Sequence, residues 1–410
     1  MDAREERGLV IAALCKLNKK RDNEWIVPSQ SGIEKVYTVD PIAKTCTCPD
    51  HSENGHKCKH LFAVEIVQKR EFLPDGTCID TQSVTFTKKT VYKQNWEAYN
   101  EAQSIEKDRM QELLYDLCQH VQEPPAPRVG RRPHRAKDAI FAMTLKVYSL
   151  FSARRFSSDL REAYTRGHVT KPIPGMKVNC FLENPSFTPI LKQLIAQSAL
   201  PLKTVERDFA IDSSGFGTSV FETWYDAKYG VTRRKCLWVK THLACGVKTN
   251  IVTAVRILDK AAADAPQFVP LLRETKRGFE IGEVSADKAY ASLENFEEVA
   301  ACGGTGFIAF KANTTGAVGG MFQKMFAYFL YKQDEYMQRY HKRSNVESTF
   351  SMIKRKFGHN VRAMTPTAQV NEVLCKILCH NLCVLVQEEC ELGIKPMFEA
   401  PKPQQMIIAN

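Results

Sequence analysis

Residues 340–354 read Y-H-K-R-S-N-V-E-S-T-F-S-M-I-K, and this stretch decides how the rest of the chain is interpreted. An α-helix advances about 100° per residue, so Tyr340, Arg343, Glu347 and Lys354 fall within an arc of about 60°. The spacing predicts one helical face that carries a carboxylate, two cations and a phenol. A solvated helix with a weak Arg343–Glu347 pair at i,i+4 has the same spacing.

Two further carboxylates follow apolar runs that are typical of buried strands. Asp212 ends the run 209–211 and precedes S-S-G, while Asp287 ends the run 281–286 and precedes K-A-Y. We interpret each as an acid at the carboxyl end of a strand. Two strand-end acids and one helical acid supply the oxygen ligands that a pair of Mg²⁺ ions needs for in-line phosphoryl transfer.

These residues resemble the insertion-sequence DDE transposases. The resemblance extends over about residues 128–394 and implies an RNase H-like fold, with DNA cleavage at the ends of a mobile element and strand transfer into target DNA. It also implies recognition of terminal inverted repeats by a homodimer on paired ends. The D, D and E of the family match Asp212, Asp287 and Glu347, and its Y-(2)-R-(3)-E-(6)-K signature matches Tyr340, Arg343, Glu347 and Lys354.

The resemblance gives each of these side chains a role. The three acids would bind two Mg²⁺ or Mn²⁺ ions, Arg343 and Lys354 would hold phosphates near the scissile bond, and Tyr340 would orient a phosphate or a base. Three other acids compete for the two strand positions: Asp208 for the first, and Asp259 or Asp264 for the second. The flanking S-S-G and K-A-Y favour Asp212 and Asp287.

Near the N-terminus, Cys-x-Cys and Cys-x-His pairs are separated by nine residues. Three thiolates and one imidazole suit a closed tetrahedral zinc site, and so small a module has little core without a metal. The pattern and the following H-L-F-A-V resemble the SWIM zinc finger, whose ligands would be Cys46, Cys48, Cys58 and His60. A metal-free cysteine loop is the alternative.

The same stretch contains two further histidines, His51 and His56. We interpret them as exposed loop residues because the set of four ligands is already complete. The stretch is nearly neutral, so the finger could contact either DNA or another protein, and both possibilities stay open.

With 410 residues the chain is too long for a single core, which predicts several domains. In the catalytic part we predict strands at 207–211, 236–245, 250–257, 280–286 and 306–311. Their order with the helices predicts an α/β, RNase H-like domain with a mixed five-stranded sheet and flanking helices. The predicted domains are a zinc finger at 1–92, a helix and Pro-rich linker at 93–127, a helical DNA-binding region at 128–203, the catalytic domain at 204–394 and a flexible tail at 395–410.

Further local elements follow from apolar periodicity and turn residues. N-terminal helices are predicted at 2–16, 61–69 and 96–120, and strands at 24–27, 35–39 and 81–92. In the DNA-binding region, helices are predicted at 140–152, 158–166 and 189–198. Ser158 is expected to cap the second of these and Pro189 to occupy the first position of the third.

Charge is distributed unevenly along the chain. Residues 1–124 contain 17 Lys+Arg and 20 Asp+Glu, so of the net charge of +11 the first part carries −3 and the rest +14. This surplus is consistent with contact to phosphate backbones. The segment 128–135 is either a minor-groove arm or a basic linker, and five cations of the helical region are candidate phosphate contacts: Arg154, Arg155, Arg161, Arg166 and Lys171.

Several other features are less specific. The start M-D-A-R-E-E-R lacks a signal-peptide pattern and no apolar run approaches a membrane span, which predicts a cytoplasmic, nucleoid-associated protein with reduced thiols. Cys375, Cys379 and Cys383 fit the buried stripe of a helix. Trp224 and Trp238 could stack on a base, but packing is the commoner fate of tryptophan.

Three functions share these features. The preferred one is a transposase, and the rivals are a domesticated or decayed protein that binds DNA without catalysis and a metal-dependent nuclease without strand transfer. The complete set of three acids favours a catalytic protein.

Overall fold

The computed structural model describes residues 3–15, 17–21, 23–29, 35–71, 95–123, 133–218, 238–258, 264–311, 314 and 318–398. The chain forms two compact units, residues 1–93 and 94–410. The predicted strand at 81–92, Asp259, Trp224, most of the basic segment 128–135 and the tail beyond residue 398 lie outside the described residues.

The first unit packs helices on a four-stranded antiparallel sheet with the order β1-β2-β3-β4. Strand β2 alternates buried and half-buried side chains, which places Trp25 and Val27 in the core. The described elements are α1 Ala3–Leu14, β1 Asn18–Arg21, β2 Glu24–Pro28, β3 Val36–Asp40, β4 Thr45–Cys46, α2 Pro49–Asn54 and α3 Lys59–Glu71. Strands β1 and β4 are short and were not predicted.

Helices α1 and α3 approach each other closely at Gly8. A Cβ atom at this position would lie 2.5 Å from the Cβ of Phe62 and 2.8 Å from the carbonyl oxygen of Lys59. Only a residue without a side chain allows this contact, so Gly8 sets the packing distance of the two helices.

The second unit begins with a block of helices. Helix α6 starts earlier than predicted, because the hydroxyl of Ser152, and not that of Ser158, accepts a hydrogen bond from the Arg155 N–H. Pro189 is the third residue of α8 rather than the first. The helices are α4 Trp96–Cys118, α5 Ala136–Ser149, α6 Ala153–Thr165, α7 Lys177–Leu182 and α8 Phe187–Ala199.

A mixed five-stranded sheet follows and confirms the predicted fold class. Its order is β7-β6-β5-β8-β9, in which β5, β6 and β7 pair antiparallel and β5, β8 and β9 pair parallel. This is the RNase H-like arrangement. The strands are β5 Phe209–Gly217, β6 Trp238–Gly246, β7 Val252–Leu258, β8 Glu283–Ala286 and β9 Thr305–Ile308.

Six helices accompany the sheet and complete the described part of the unit. They are α9 Ala265–Lys276, α10 Leu293–Ala301, α11 Gly320–Tyr331, α12 Gln333–Tyr340, α13 Ser344–Phe357 and α14 Pro366–Leu392. Helix α14 packs against α4, α5 and α8, and α8 packs against β7. The helical block and the sheet therefore share one hydrophobic core, and the domain boundaries within residues 94–410 stay a prediction.

Asn381 is the polar centre of this packing. Its side-chain amide donates to the carbonyl of Val252 at 2.7 Å and to the hydroxyl of Ser198 at 2.9 Å, while its oxygen accepts from the Val252 N–H at 2.9 Å. A buried amide is tolerated only when its donors and acceptors are satisfied, so Asn381 specifies how α14, α8 and β7 meet.

Helix α14 has 27 residues and is long and apolar enough to cross a membrane, in contrast to the expectation that no segment approaches such a span. However, 89% of its apolar window is buried inside the protein. It is a core helix. Cys375 and Cys379 lie fully buried on it and Cys383 is half-buried, as the periodicity predicted.

Candidate functional sites

The first predicted acid, Asp212, lies in the middle of β5 and not at its end, because pairing with β6 continues through Gly217. The parallel pairing with β8, however, stops at Ile211 opposite Ala286. Asp212 and Asp287 are the next residues on each strand. The two acids therefore lie side by side where β5 and β8 separate.

The environment of Asp212 reflects these neighbours. The Ser213 N–H donates to its Oδ1 at 2.8 Å. Burial raises the pKa of Asp212, and the negative charges of Asp287 and Glu347 contribute to the rise, although Ser213 and Arg343 oppose it. Asp212 therefore experiences the negative charge of two other carboxylates, which a bound cation would compensate.

Glu347 comes from the first turn of α13. The predicted continuous helix over residues 340–354 is wrong: α12 ends at Tyr340, a 3₁₀ turn follows at His341–Arg343, and α13 begins at Ser344. The 3₁₀ turn has fewer residues per turn than an α-helix, yet Arg343 and Glu347 still lie on the same face.

Arg343 connects the acids from the two regions of the sequence. Its Nη1 lies 2.7 Å from Asp212 Oδ2, and its Nη2 lies 2.7 Å from Glu347 Oε1. Its guanidinium carbon also lies 6.0 Å from the ring centre of Tyr340, and burial raises the pKa of that phenol. Arg343 thus holds positive charge between the strand and the helix.

Lys354 belongs to α13, and its side chain contacts β5 two residues beyond Asp212. Its Nζ donates to the Ser214 hydroxyl at 2.7 Å and lies 5.4 Å from the ring centre of Phe216. Burial lowers the pKa of Lys354. Since Ser214 is two residues beyond Asp212, Lys354 and the acid lie on one face of β5.

The competing acids have other partners. Asp208 Oδ2 lies 2.6 Å from Lys342 Nζ, and Asp264 forms a salt bridge with Lys240. Asp259 lies outside the described residues. The geometry therefore supports Asp212 and Asp287 over Asp208 and Asp264, and the assignment itself remains a prediction.

Sequence reasoning missed a buried polar pair behind the acids. His242 on β6, which is paired with Ser213, has its Nδ1 3.1 Å from the Tyr290 hydroxyl. Burial lowers the pKa of His242 to about 4 and raises that of Tyr290 well above its ordinary value. Tyr290 belongs to the K-A-Y flank, but only strand pairing shows that it meets His242.

The four predicted ligands of the zinc finger converge in the first unit. The ligand atoms of Cys46, Cys48, Cys58 and His60 all lie within 4.8 Å of one another, and the four residues are buried. The Nδ1 of His60 lies 3.8 Å from Cys46 Sγ and 3.9 Å from Cys58 Sγ. A tetrahedral zinc site with ordinary bond lengths needs about 3.6 Å between such atoms, so the set fits zinc.

The three thiols of the cluster differ in pKa. Hydrogen bonding from Cys46 and from His60 lowers the pKa of Cys58 to about 3, although burial opposes this shift. The other two histidines stay out of the cluster: His51 Nδ1 lies 2.8 Å from the carbonyl oxygen of His56, and His56 is exposed. His56 is an exposed loop residue, as predicted, whereas the prediction is wrong for His51, which lies in helix α2 and is half-buried.

In the part of the chain that the structure describes, the Cys₃His set is the one group of potential ligands gathered within metal-binding reach. The three carboxylates are not gathered to that degree, and the guanidinium of Arg343 bridges two of them. The two candidate sites therefore differ in how complete they are.

Fold and site define a protein with a buried Cys₃His cluster and an RNase H-like domain in which Arg343 connects a strand acid to a helical acid. Residues 203–382 match the family model described as transposase DDE domain, and residues 37–69 match the model described as SWIM zinc finger. The chain carries a DDE transposase domain and a SWIM zinc finger, which confirms the resemblance seen in its motifs.

Proposed function

We propose that this protein is a transposase that cuts DNA at the ends of a mobile element and joins those ends to target DNA. One observation carries the proposal. Asp212 and Asp287 lie side by side where two parallel strands separate, and Arg343 connects Asp212 to Glu347 on the following helix. A match to a transposase DDE domain covers all three acids.

The donor set fits hard divalent cations, because the three side chains offer only carboxylate oxygens. Asp212, Asp287 and Glu347 would hold two Mg²⁺ or Mn²⁺ ions. Such ions, when bound, activate the attacking oxygen and stabilise the leaving 3′-oxygen. The attacking group is water in the first step and a freed 3′-OH in the second.

The cationic side chains have a separate part in the proposal. Arg343 exchanges one of its two carboxylate partners for a phosphate of the DNA, which gives the acids room to approach each other. Lys354 exchanges its hydrogen bond with Ser214 for a phosphate oxygen, and Tyr340 donates a hydrogen bond to a phosphate or a base. For Arg343 and Lys354, the contact with a phosphate oxygen would be at least as strong as the polar contact that it replaces.

DNA would be held by more than the catalytic centre. Arg154, Arg155, Arg161, Arg166 and Lys171 are exposed in the helical block, where we place recognition of terminal inverted repeats by residues 128–203. A homodimer on paired ends, acting on DNA of the nucleoid in the cytoplasm, completes the proposal. The SWIM finger would hold Zn²⁺ and contact either DNA or protein.

The test is cleavage and strand transfer of labelled DNA that carries the presumed element ends, with Mg²⁺ present. We expect Glu347→Gln to lower the cleavage rate by at least about 100-fold, because a neutral amide binds a divalent cation poorly. Glu294→Gln is the matched control, since Glu294 is also an exposed acid in the first turn of a helix.

The outcomes separate the three functions. Cleavage with strand transfer that depends on Glu347 supports the transposase. Cleavage without joining supports a nuclease, and tight DNA binding without any cleavage by the unaltered chain supports a DNA-binding protein.

A further inference from the structure

Strands β5 and β8 carry a second pair of acids. Asp208 immediately precedes β5, Glu283 opens β8, and the Glu283 N–H donates to Asp208 Oδ1 at 3.1 Å. Asp212 and Asp287 lie four residues further along each strand. Because side chains alternate along a strand, both acid pairs belong to one face of the sheet, about 13 Å apart along the strands.

A single turn contacts both pairs through consecutive residues. In the 3₁₀ turn His341–Arg343, Lys342 Nζ lies 2.6 Å from Asp208 Oδ2 and 2.7 Å from Glu283 Oε2. The next residue, Arg343, contacts Asp212. Lys342 therefore contacts the acids at the start of the two strand segments, and Arg343 contacts an acid at their other end.

The Lys342 contacts are sheltered and mutually supporting. The side chains of Lys342 and Glu283 are 34% and 19% exposed, and Arg339 from α12 forms a further ion pair with Glu283. Burial opposes the charge on Lys342, but the hydrogen bonds to Asp208 and Glu283 outweigh it and raise the pKa of the lysine. Such a network resists solvent screening better than an isolated surface pair does.

We propose that Lys342 is a positioning residue for the carboxylate site. By bridging Asp208 and Glu283, it fixes the 3₁₀ turn on β5 and β8, and so fixes Arg343 and Glu347 relative to Asp212 and Asp287. This inference rests on the proposed function of that site. Lys342 is not one of the four residues of the Y-R-E-K signature, and it is bound by the two acids that lie at the other end of the strand segments from Asp212 and Asp287.

Loss of the lysine would release the turn. Asp208 and Glu283 would then face each other with less compensating charge, and like charges at this distance repel. The first turn of α13 follows the 3₁₀ turn directly, so Glu347 would lose its fixed distance from the strand acids.

The experiment measures Mn²⁺ binding to the full-length, zinc-loaded chain from the loss of the free Mn²⁺ electron paramagnetic resonance signal. We expect Lys342→Met to weaken Mn²⁺ binding about tenfold, as is typical when a residue that orients metal ligands is removed. Lys342→Arg should keep the unaltered affinity, because it retains the charge. Arg273→Met is the control, since it removes a cation from an exposed ion pair with Glu298 that joins α9 to α10 away from the site.

DNA affinity without divalent metal gives a second, independent measurement. A positioning role predicts that Lys342→Met leaves this DNA affinity unchanged and lowers the cleavage rate at saturating Mg²⁺. Unchanged Mn²⁺ binding with weakened DNA binding would overturn the inference and make Lys342 a phosphate contact. Unchanged values for both would also overturn it.

A fold control keeps the test decisive. If Lys342→Met does not fold, the triple variant Asp208→Asn, Glu283→Gln, Lys342→Met removes the unbalanced charges. We expect this variant to fold and still to bind Mn²⁺ weakly, and wild-type binding by it would overturn the inference. Failure of the proposed function would give a different result. In that case Asp287→Asn would bind Mn²⁺ no more weakly than the unaltered chain does.

Discussion

The Cys₃His cluster and the carboxylate site are assembled in opposite ways. All four potential metal ligands of the cluster come from residues 46–60 and converge to within 4.8 Å. The three acids come from residues 212, 287 and 347, and they belong to one region of the unit only because β5 pairs with β8 and the turn at His341–Arg343 packs on both strands. The first site is local in sequence and close to complete, whereas the second is non-local and held in part by Arg343.

This difference has an energetic consequence. The first unit has a small core, to which Cys46, Cys48 and Cys58 themselves belong, so metal binding and folding are coupled there. The second unit has a large core that does not include the acids. Loss of a cysteine of the cluster should therefore unfold the first unit, whereas loss of one of the three acids should leave the second unit folded.

The largest effect is expected from removing zinc. Cys58→Ser, or chelation of the metal, should unfold the first unit, because zinc contributes about 10 kcal/mol or more to the folding of such small modules. Hydrogen exchange of the full chain, read by mass spectrometry, should show lost protection in α3 and β2 and retained protection in β5 and β6. Cys180→Ser, at an exposed thiol, is the control. Retained protection in α3 after chelation would contradict the coupling.

Acid should weaken the second unit by a moderate amount. The pKa values of the buried side chains of His242 and His380 are both lowered to about 4 by burial. Between the ordinary histidine pKa of about 6.5 and about 4, the unfolded chain binds protons that the folded chain excludes, so stability falls as the pH falls. We expect a loss of up to about 3 kcal/mol for each histidine over this range.

Denaturant unfolding at several pH values, monitored by far-ultraviolet circular dichroism, measures this dependence. The double variant His242→Asn, His380→Asn should have a smaller slope between pH 6.5 and 4. An unaltered slope would show that other groups cause the acid sensitivity.

The smallest effect is expected from the acids themselves. Asp287→Asn should change the free energy of unfolding of the second unit by no more than about 1 kcal/mol, because Asp287 is only half-buried and lies outside the hydrophobic core. Thermal unfolding in the absence of divalent metal measures the effect. A loss as large as that of a zinc ligand would remove the distinction between the two sites.

The predictability of each region follows the same division. Cys-x-Cys and Cys-x-His spacing alone indicated the finger, and the ligands converge as that spacing implied. The order of strands and helices indicated the five-stranded mixed sheet, which the structure confirms. Local boundaries were less accurate: Ser152 rather than Ser158 caps α6, and the helix predicted over residues 340–354 is interrupted at His341–Arg343.

The sequence by itself determined what its local spacing encodes: the four potential metal ligands of the finger, the class of fold and the residues that match the transposase signature. Tertiary structure decided how distant residues meet. It places Asp212 within β5 rather than at its end, pairs Asp208 with Lys342, and joins His242 to Tyr290. The physical reason is that contacts between residues far apart in the chain depend on strand register and on the packing of a turn. Hydrophobic periodicity indicates which face of a strand is buried, but it does not indicate which strand is its neighbour or where a turn packs.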